Sequence, residues 1–584
     1  MTPRIAERLH RMSRGLLLLS LLAALTGCEP PDEAPGEVAE EELFEVDPEI
    51  RPEVSGMHGA VTAGHPLAAA AGYEVLREGG NAADAAVTMA AVLAVVRPHM
   101  NGVGGDAFAL FYDGETREVQ ALNGSGRAAA GATPTFFTDQ EMDDMPETGA
   151  LAVTVPGAVS AWEATLERHG TISLAQALEP AIRLAEEGFV VTTTLAADLS
   201  GATRLNEAGR DLYAPGGEPL AAGEVLRNPA LAASLRAISD EGSGALYGGE
   251  VGRALVAFLE EEGSPLRLDD LAEHSADWAD PVSLEFQGLT VHTLPPNSQG
   301  MVLLQTLGMV EALGIDAESA FAPDHLHRLV EAKKLAFADR DRWVADFDAA
   351  PAPLGELLDP DYLARRAGEI GSTAMETAAP GELGSGEVAW CAADPVDGSG
   401  DTVYLIAVDA QGNAVSWIQS LFHSFGSGLM DPETGIVLQN RGAGFTLEEG
   451  HPNRIGPNQR PFHTLMATLV TDAEGRFEMA LGTPGGHGQP QTVAQALVQM
   501  LLFDLTPQQA AEAPRFRSYD QRRVSVESRM PAWVLDGLAD RGHELRVVNG
   551  WTAPFGNLQV IHRAPDGVIR TGADMRREAA ALAY

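Results

Sequence analysis

Gly400–Ser416 reads GDTVYLIAVDAQGNAVS, and the fold turns on this stretch. Thr402–Val408 (TVYLIAV) is rich in β-branched and other apolar residues, Asp409–Asn413 (DAQGN) is made of turn residues, and Ala414–Gln419 resumes an apolar pattern. That sequence predicts two antiparallel strands joined by a tight turn. Upstream, 371–400 is Gly, Ala, Ser, Pro and acid with little periodicity, a surface loop or linker. Downstream, strands are predicted at Met466–Val470, Phe477–Leu481, Arg523–Val526 and Asn557–His562, with a helix over Val493–Phe503. Toward the N-terminus, Pro66–Glu78 reads as a helix stopped by Gly79-Gly80, and Asn81–Val96 as a second helix capped by Asn81 and ended before Pro98. Strands at Ala107–Tyr112 and Val119–Leu122 flank the turn Asp113-Gly114. Residues 157–330 are mostly helical by periodicity, as is His325–Trp343. The class is α+β.

Charge and composition remove several functions. The chain of 584 residues carries 39 Lys+Arg against 83 Asp+Glu, a net charge of −44. Such a surface repels polyphosphate, so no nucleic-acid partner is expected. Two cysteines, Cys28 and Cys391, cannot make a disulfide scaffold or an all-Cys zinc site. The only lysines, Lys333 and Lys334, follow no Gly-rich loop, which removes the phosphate-binding P-loop. There is no G-x-S-x-G elbow. Gly102–Ala107 falls between a helix and a strand in the wrong order for a dinucleotide loop. His325 and His327 lie two apart in a helical pattern and do not face each other, so they read as a solvated or partly buried pair. No metal or cofactor is expected.

The first 28 residues look like an address. Arg4, Arg8, Arg11 and Arg14 precede the uncharged run Gly15–Leu25, which is too short for a stable membrane span and reads as a signal-peptide core. Leu25-Thr26-Gly27-Cys28 resembles the bacterial lipobox, in which the cysteine becomes the lipidated first residue. Residues 29–50 hold ten acids, no base and four prolines, so 29–55 is expected to be an acidic disordered tether. These features predict a protein of the bacterial cell envelope, facing the periplasm or held on the outer membrane, that touches lipid only through its anchor.

Thr402 carries the chemistry. Threonine is common in strands, and by composition alone this one would be an ordinary strand residue. It stands, however, just after the flexible Gly398-Ser399-Gly400-Asp401. Cutting Asp401–Thr402 would free an α-amine with a pKa near ~8, able to act as general base for its own hydroxyl. Gly485 and Gly486, in LGTPGGHG (481–488), follow a strand and precede a helix, where exposed amides suit an oxyanion hole.

With those residues in view, the sequence resembles the gamma-glutamyltranspeptidase family over nearly all of 56–584. The matching segments include GHPLAAAAGYEVLREGGNAADAAV (64–87), PHMNGVGGDAF (98–108), PPNSQG (295–300), EAKKLAFADRDRWV (331–344), FGSGLMDPETGIVLQNRGAGF (425–445), PNQRPFHTL (457–465), TPGGHGQPQ (483–491) and GADMRREAAALAY (572–584). The resemblance implies a four-layer αββα sandwich of the N-terminal nucleophile hydrolase type. It further implies self-cleavage into a large subunit, 56–401, and a small subunit, 402–584, which stay together as a heterodimer. Thr402 would be nucleophile and cleavage point, Ser420 the hydroxyl that hydrogen-bonds it, and Gly485 and Gly486 the oxyanion glycines.

Departures from the family pattern narrow the substrate, a small-molecule amide. Phe422 stands where glutathione-acting members hold the glutamate amine with Asn, Arg441 and Gly444 replace a Gln and an Asp, and His463-Thr464 replaces a Ser-Ser pair. Arg127 is a candidate for the arginine that grips the α-carboxylate. Losing partners for an ammonium while gaining Arg441 favours an acyl group with a carboxylate and no amine. NRGAGF (440–445) is similar to the acylase-like branch. The short stretch between Phe445 and Pro461 leaves out the lid of many transpeptidases, which favours hydrolysis over transfer. A conventional glutathione hydrolase or transpeptidase, and a non-catalytic binding lipoprotein on the same fold, are the alternative readings. In so acidic a chain, an acidic acyl group needs local positive charge, and Arg441 and Arg127 are where it is expected.

Overall fold

The computed structural model describes residues 50–314, 319–383 and 401–584. The leader, Cys28, most of the tether, Cys391 and Gly398–Gly400 lie outside the described residues. Two seven-stranded sheets form the centre. In the first, the strand Asp401–Val408 pairs with Ala60–Ala63 on one side and with Ala414–Phe422 on the other. Asp106–Tyr112, Val119–Gly124 and Asp277–Ala279 continue that sheet, and Ala580–Ala583 closes its opposite edge. The second sheet runs Val54–Gly56, Ile569–Ala573, Gln559–Arg563, Phe477–Gly482, Thr468–Thr471, Leu289–Thr293, Val282–Phe286. All neighbouring strands in both are antiparallel.

The continuous apolar run 402–408 has a simple cause. Tyr404, Ile406 and Val408 point into a core shared with Leu469, Ala480 and Ile561 of the second sheet, whereas Val403, Leu405 and Ala407 face a helical layer. A strand covered on both faces needs apolar residues at every position, and each large one that is fully buried is worth ~1.5–3 kcal/mol. The helical layer includes Ala82–Val96, in which all residues are buried. Its start is fixed by Asn81 and Asp84, each side chain accepting from the other's backbone N–H. On the far side, Gly300–Leu313, Pro323–Trp343 and Gln489–Phe503 cover the second sheet. Helix, sheet, sheet and helix stack in four layers, the αββα sandwich. No described helix is long and apolar enough to cross a membrane.

Two expectations need correction. The tether does not extend to residue 55, because Val54–Gly56 pairs with Ile569–Thr571, and the backbone N–H groups of Ile50 and Arg51 donate to the Glu512 carboxylate at 2.7 and 2.9 Å. Residues 51–55, which follow the acid-rich run, therefore belong to the body. The strand predicted to end at Gln419 continues to Phe422, which brings Ser420 into register with Thr402. Ala580–Ala583 forms an edge strand although alanine favours helix; pairing with Ala60–Ala63 overrides that preference.

Candidate active site

Thr402 and Ser420 are paired across the two central strands, and both face the space between the sheets. Between Asp401 and Thr402 the register breaks: Asp401 pairs with Phe422 and Thr402 with Ser420, leaving Leu421 as an extra residue. The Leu421 N–H donates instead to the Met100 carbonyl at 2.9 Å. Such a bulge bends the strand and re-aims its side chains. Phe422 accordingly has φ +79°, a conformation a bulky residue rarely takes.

The bulge closes a hydrogen-bond chain around the Asp401–Thr402 peptide. Thr402 Oγ1 donates to Ser420 Oγ at 3.1 Å, the Phe422 N–H donates to the same oxygen at 2.7 Å, and Ser420 Oγ donates to the Asp401 carbonyl oxygen at 2.8 Å. Thr402 is only 1% exposed. The Asp401 carboxylate is held by Arg577 at 2.9 Å, and Arg577 in turn lies 3.7 Å from Asp198. A cavity of about 10 Å³, room for roughly one water molecule, is lined by Thr402, Tyr404, Pro484, Asn557, Arg97 and Arg577.

Pro484 brings the glycine corner to this cavity. Gly482 ends its strand where a Cβ would lie 2.4 Å from the Tyr404 ring, so only glycine fits. Gly485 and Gly486 have φ of +134° and +57°, the region that favours glycine. Gly486 opens a 3₁₀ turn that runs into Gln489–Phe503. Among the described residues, neither amide donates to a protein acceptor. Gln299, buried, fixes the corner by donating to Gly486 O at 3.0 Å and Thr464 O at 2.6 Å, while Arg340 donates to Gln299 Oε1 at 3.2 Å. Its place in PPNSQG was visible in the sequence, but its role was not, because the carbonyls it joins come from distant segments.

Arg441, Asp106 and His463 make a second cluster, all 0% exposed. Asp106 pairs with Ser420 across the neighbouring strands. Arg441 Nε lies 3.7 Å and His463 Nε2 3.6 Å from Asp106 Oδ2. None of the three guanidinium nitrogens has a hydrogen-bond partner, nor has Asp106 Oδ2 or either His463 ring nitrogen. Asp106 Oδ1 accepts from the Gly126 N–H at 2.9 Å. The Arg441 guanidinium stacks 4.2 Å from the Phe422 ring centre. Burial pushes the Asp106 carboxyl up to about 7 despite Arg441, and lowers Arg441 to about 10. Burial, helped by Arg441 and Arg460, holds His463 well below its ordinary range, so it is neutral. Asp106 escaped the sequence reading: an acid in GGDAF looks like a turn residue until the fold buries it.

Arg127 is placed differently. It is surrounded by carboxylates, 3.4 Å from Asp348, 3.5 Å from Asp346 and 3.6 Å from Asp277, and donates to Asn458 O. Thr464 is buried beside Gln299. Elsewhere, His327, Glu331 and His543 bring ligand atoms within 4.8 Å of one another. The Glu331 oxygens are already taken by Lys334 at 2.7 Å and by the Met375 N–H at 2.9 Å, and His327 is hydrogen-bonded to His543 and to Gly371 O. A cation would have to displace Lys334, so these residues fit a structural ion pair better than a metal centre. His325 and His327 are both buried rather than solvated.

An αββα sandwich of two antiparallel sheets, with Thr402 on a central strand and a glycine corner beside it, is the fold of the N-terminal nucleophile hydrolases. Comparison with known proteins refines that class. The profile described as Gamma-glutamyltranspeptidase matches residues 68–584, and the chain belongs to this family. It is 38% identical to the glutathione hydrolase-like YwrD proenzyme of Bacillus subtilis, covering 91% of this chain and 99% of that protein. It is 35% identical to the oxamate amidohydrolase proenzyme of Klebsiella pneumoniae, covering 90% and 98%. The crystal structure of cephalosporin acylase from Bacillus halodurans superposes with a TM-score of 0.85 at 35% identity, covering 94% of this chain and 99% of that one.

Proposed function

We propose that this protein is a self-cleaving amidohydrolase whose nucleophile is Thr402, acting on small amides with a carboxylate-bearing acyl group. The observation that carries the reading is the chain Thr402 Oγ1 to Ser420 Oγ to Asp401 O. In the uncleaved chain, Thr402 Oγ1 attacks the Asp401 carbonyl carbon. The oxygen that gains charge is the one Ser420 already donates to. The C–N bond breaks, the nitrogen takes the proton, and Asp401 is left as an ester on Thr402; water hydrolyses it to a free carboxylate and a free Thr402 hydroxyl. Departure of Asp401 releases the Ser420 proton and exposes the α-amine, which becomes the base.

The mature cycle repeats the chemistry on substrate. Thr402 Oγ1 attacks the amide carbonyl, the Gly485 and Gly486 amides take the oxyanion, and the leaving amine departs with the proton. Water then resolves the acyl-enzyme. Arg441 is the carboxylate anchor, supported by guanidinium nitrogens that make no hydrogen bond, against the crowded Arg127, and Phe422 packs on it. Oxamate, named for the Klebsiella relative, is itself an amide with a carboxylate and no amine, which agrees with this anchor. The short 445–461 stretch supports hydrolysis over transfer. The leader and Cys28 would place the enzyme on the bacterial cell envelope through a lipid anchor, and a Cys28→Ala variant that still incorporates labelled lipid would remove that part.

Intact mass and a denaturing gel test the core of the reading. Two chains are expected, one beginning at Thr402, and Thr402→Ala should remain single and inactive. A wild-type preparation that stays full-length and behaves like Thr402→Ala overturns it. Turnover of glutaryl-anilide against γ-glutamyl-anilide, with and without a dipeptide acceptor, separates the proposed substrate class from a conventional transpeptidase.

A further inference from the structure

The buried trio beside Ser420 holds more than an anchoring charge. Arg441 Nε is the guanidinium nitrogen nearest Asp106, so the Nη1 and Nη2 edge, whose parallel donors suit a carboxylate, is uncommitted. Phe422 covers one guanidinium face. The carboxylate oxygen facing Arg441, Asp106 Oδ2, has no donor. We infer that an anionic acyl group binds at Arg441 together with one proton, which is taken up by Asp106. The inference rests on the reading of Arg441 as the acyl-carboxylate anchor and makes Asp106 a positioning residue for specificity.

The argument is charge balance in a site closed to water. Before binding, one guanidinium faces one carboxylate and a neutral imidazole, and the cluster is neutral. A second carboxylate leaves a net negative charge with no solvent to spread it. The groups facing Asp106 offer no remedy: Arg441 is already cationic, His463 is held neutral, the Gly126 and Gly157 N–H groups are fixed donors, the Tyr247 hydroxyl donates to Pro156 O at 2.8 Å, and Arg460 is committed to Asp277 at 2.6 Å. Protonating Asp106 restores neutrality and turns Oδ2 from a repelling anion into a donor. Because burial has already raised this carboxyl to about 7, the proton is available near neutral pH. Above that value, where free Asp106 is ionised, binding must recruit the proton. Affinity for an anionic acyl group should then fall about tenfold per pH unit, and level off below.

Glutarate, a plain dicarboxylate, tests this on the processed wild-type enzyme. Calorimetric titration near pH ~8 in buffers of differing ionisation heat should give uptake approaching one proton per glutarate. Asp106→Asn, which keeps an acceptor for the Gly126 N–H, should bind glutarate with no uptake and no dependence on pH. Should that variant fail to fold, infrared difference spectra of the wild type with ¹³C-glutarate should still display a new protonated-carboxyl band from the protein. Glutarate binding without proton uptake, or uptake that persists in Asp106→Asn, overturns the inference while leaving the Arg441 reading intact. Absence of glutarate binding across this pH range, with Arg441→Met fully active on glutaryl-anilide, overturns both.

Discussion

Arg441 and Arg576 are both buried guanidinium groups, yet their surroundings are opposite. Arg576 spends its donors on Glu527 at 2.8 and 2.6 Å, on Asp574 at 3.1 Å and on the carbonyls of Ala511 and Ala513. Burial pulls its pKa down, but Asp574 and Glu527 outweigh that and hold it above the ordinary value. Arg441 has no hydrogen bond at all from its side chain, and burial lowers it to about 10. A charge that is buried and fully matched holds the fold together. One whose counter-ion stands 3.7 Å away with no hydrogen bond between them adds less to the fold, and on the proposed function it keeps its donors for an anion.

The largest effect should come from breaking the matched side. Arg576→Met leaves Glu527 and Asp574 short of a partner and should destabilise the protein by about 3–5 kcal/mol, read by chemical denaturation. If that variant melts like the wild type, the contrast is wrong. Arg441→Met, after which Asp106 can take up a proton, should cost less stability than Arg576→Met, but lower kcat/KM for glutaryl-anilide about 100-fold, roughly 2.7 kcal/mol of transition-state binding. A loss of stability with activity retained would make Arg441 a structural residue.

The pH dependence of stability sharpens the same contrast. Asp106 has its folded pKa raised to about 7, so the folded state holds a proton that the unfolded chain has lost between the ordinary carboxylate range and about pH 7. Stability from this group is therefore present at low pH and declines as pH rises through that window. Asp106→Asn should flatten this part of a denaturation series, and an unchanged slope would contradict the assignment. Asn81→Ala, which removes a cap from the buried Ala82–Val96 helix, should cost ~1 kcal/mol without altering substrate preference. The smallest change is expected from Arg127→Ala. This side chain is 31% exposed among three carboxylates, so a stability change below about 1 kcal/mol and near-normal kcat/KM are expected. A large KM increase would instead return Arg127 to the substrate site.

The sequence was legible where chemistry is local. TVYLIAV reads as a strand covered on both faces, Asn81 and Asp84 spell a helix start within four residues, and the glycines at 485 and 486 fit a backbone with positive φ. The Asp401–Thr402 junction and the hydroxyl at Ser420 were readable through family resemblance. Asp106, Gln299 and Arg577 were not. Each acts on a partner far away in the chain, and no short window contains both halves of the interaction. Arg127 and Arg441 were both candidates for the positive charge of the site in the sequence, since residue type says nothing about which neighbours a guanidinium will meet.

By itself, then, the sequence determined the central strand pair, the capped helix beside it and the family, and pointed to Thr402 as the proposed nucleophile, because propensity, capping and glycine geometry are properties of short segments. Only the tertiary structure decided that Ser420 donates to the Asp401 carbonyl and that Arg127 is crowded by carboxylates while Arg441 faces Asp106 alone, without a hydrogen bond. Hydrogen-bond direction, burial and charge balance depend on which distant segments the two packed sheets bring together.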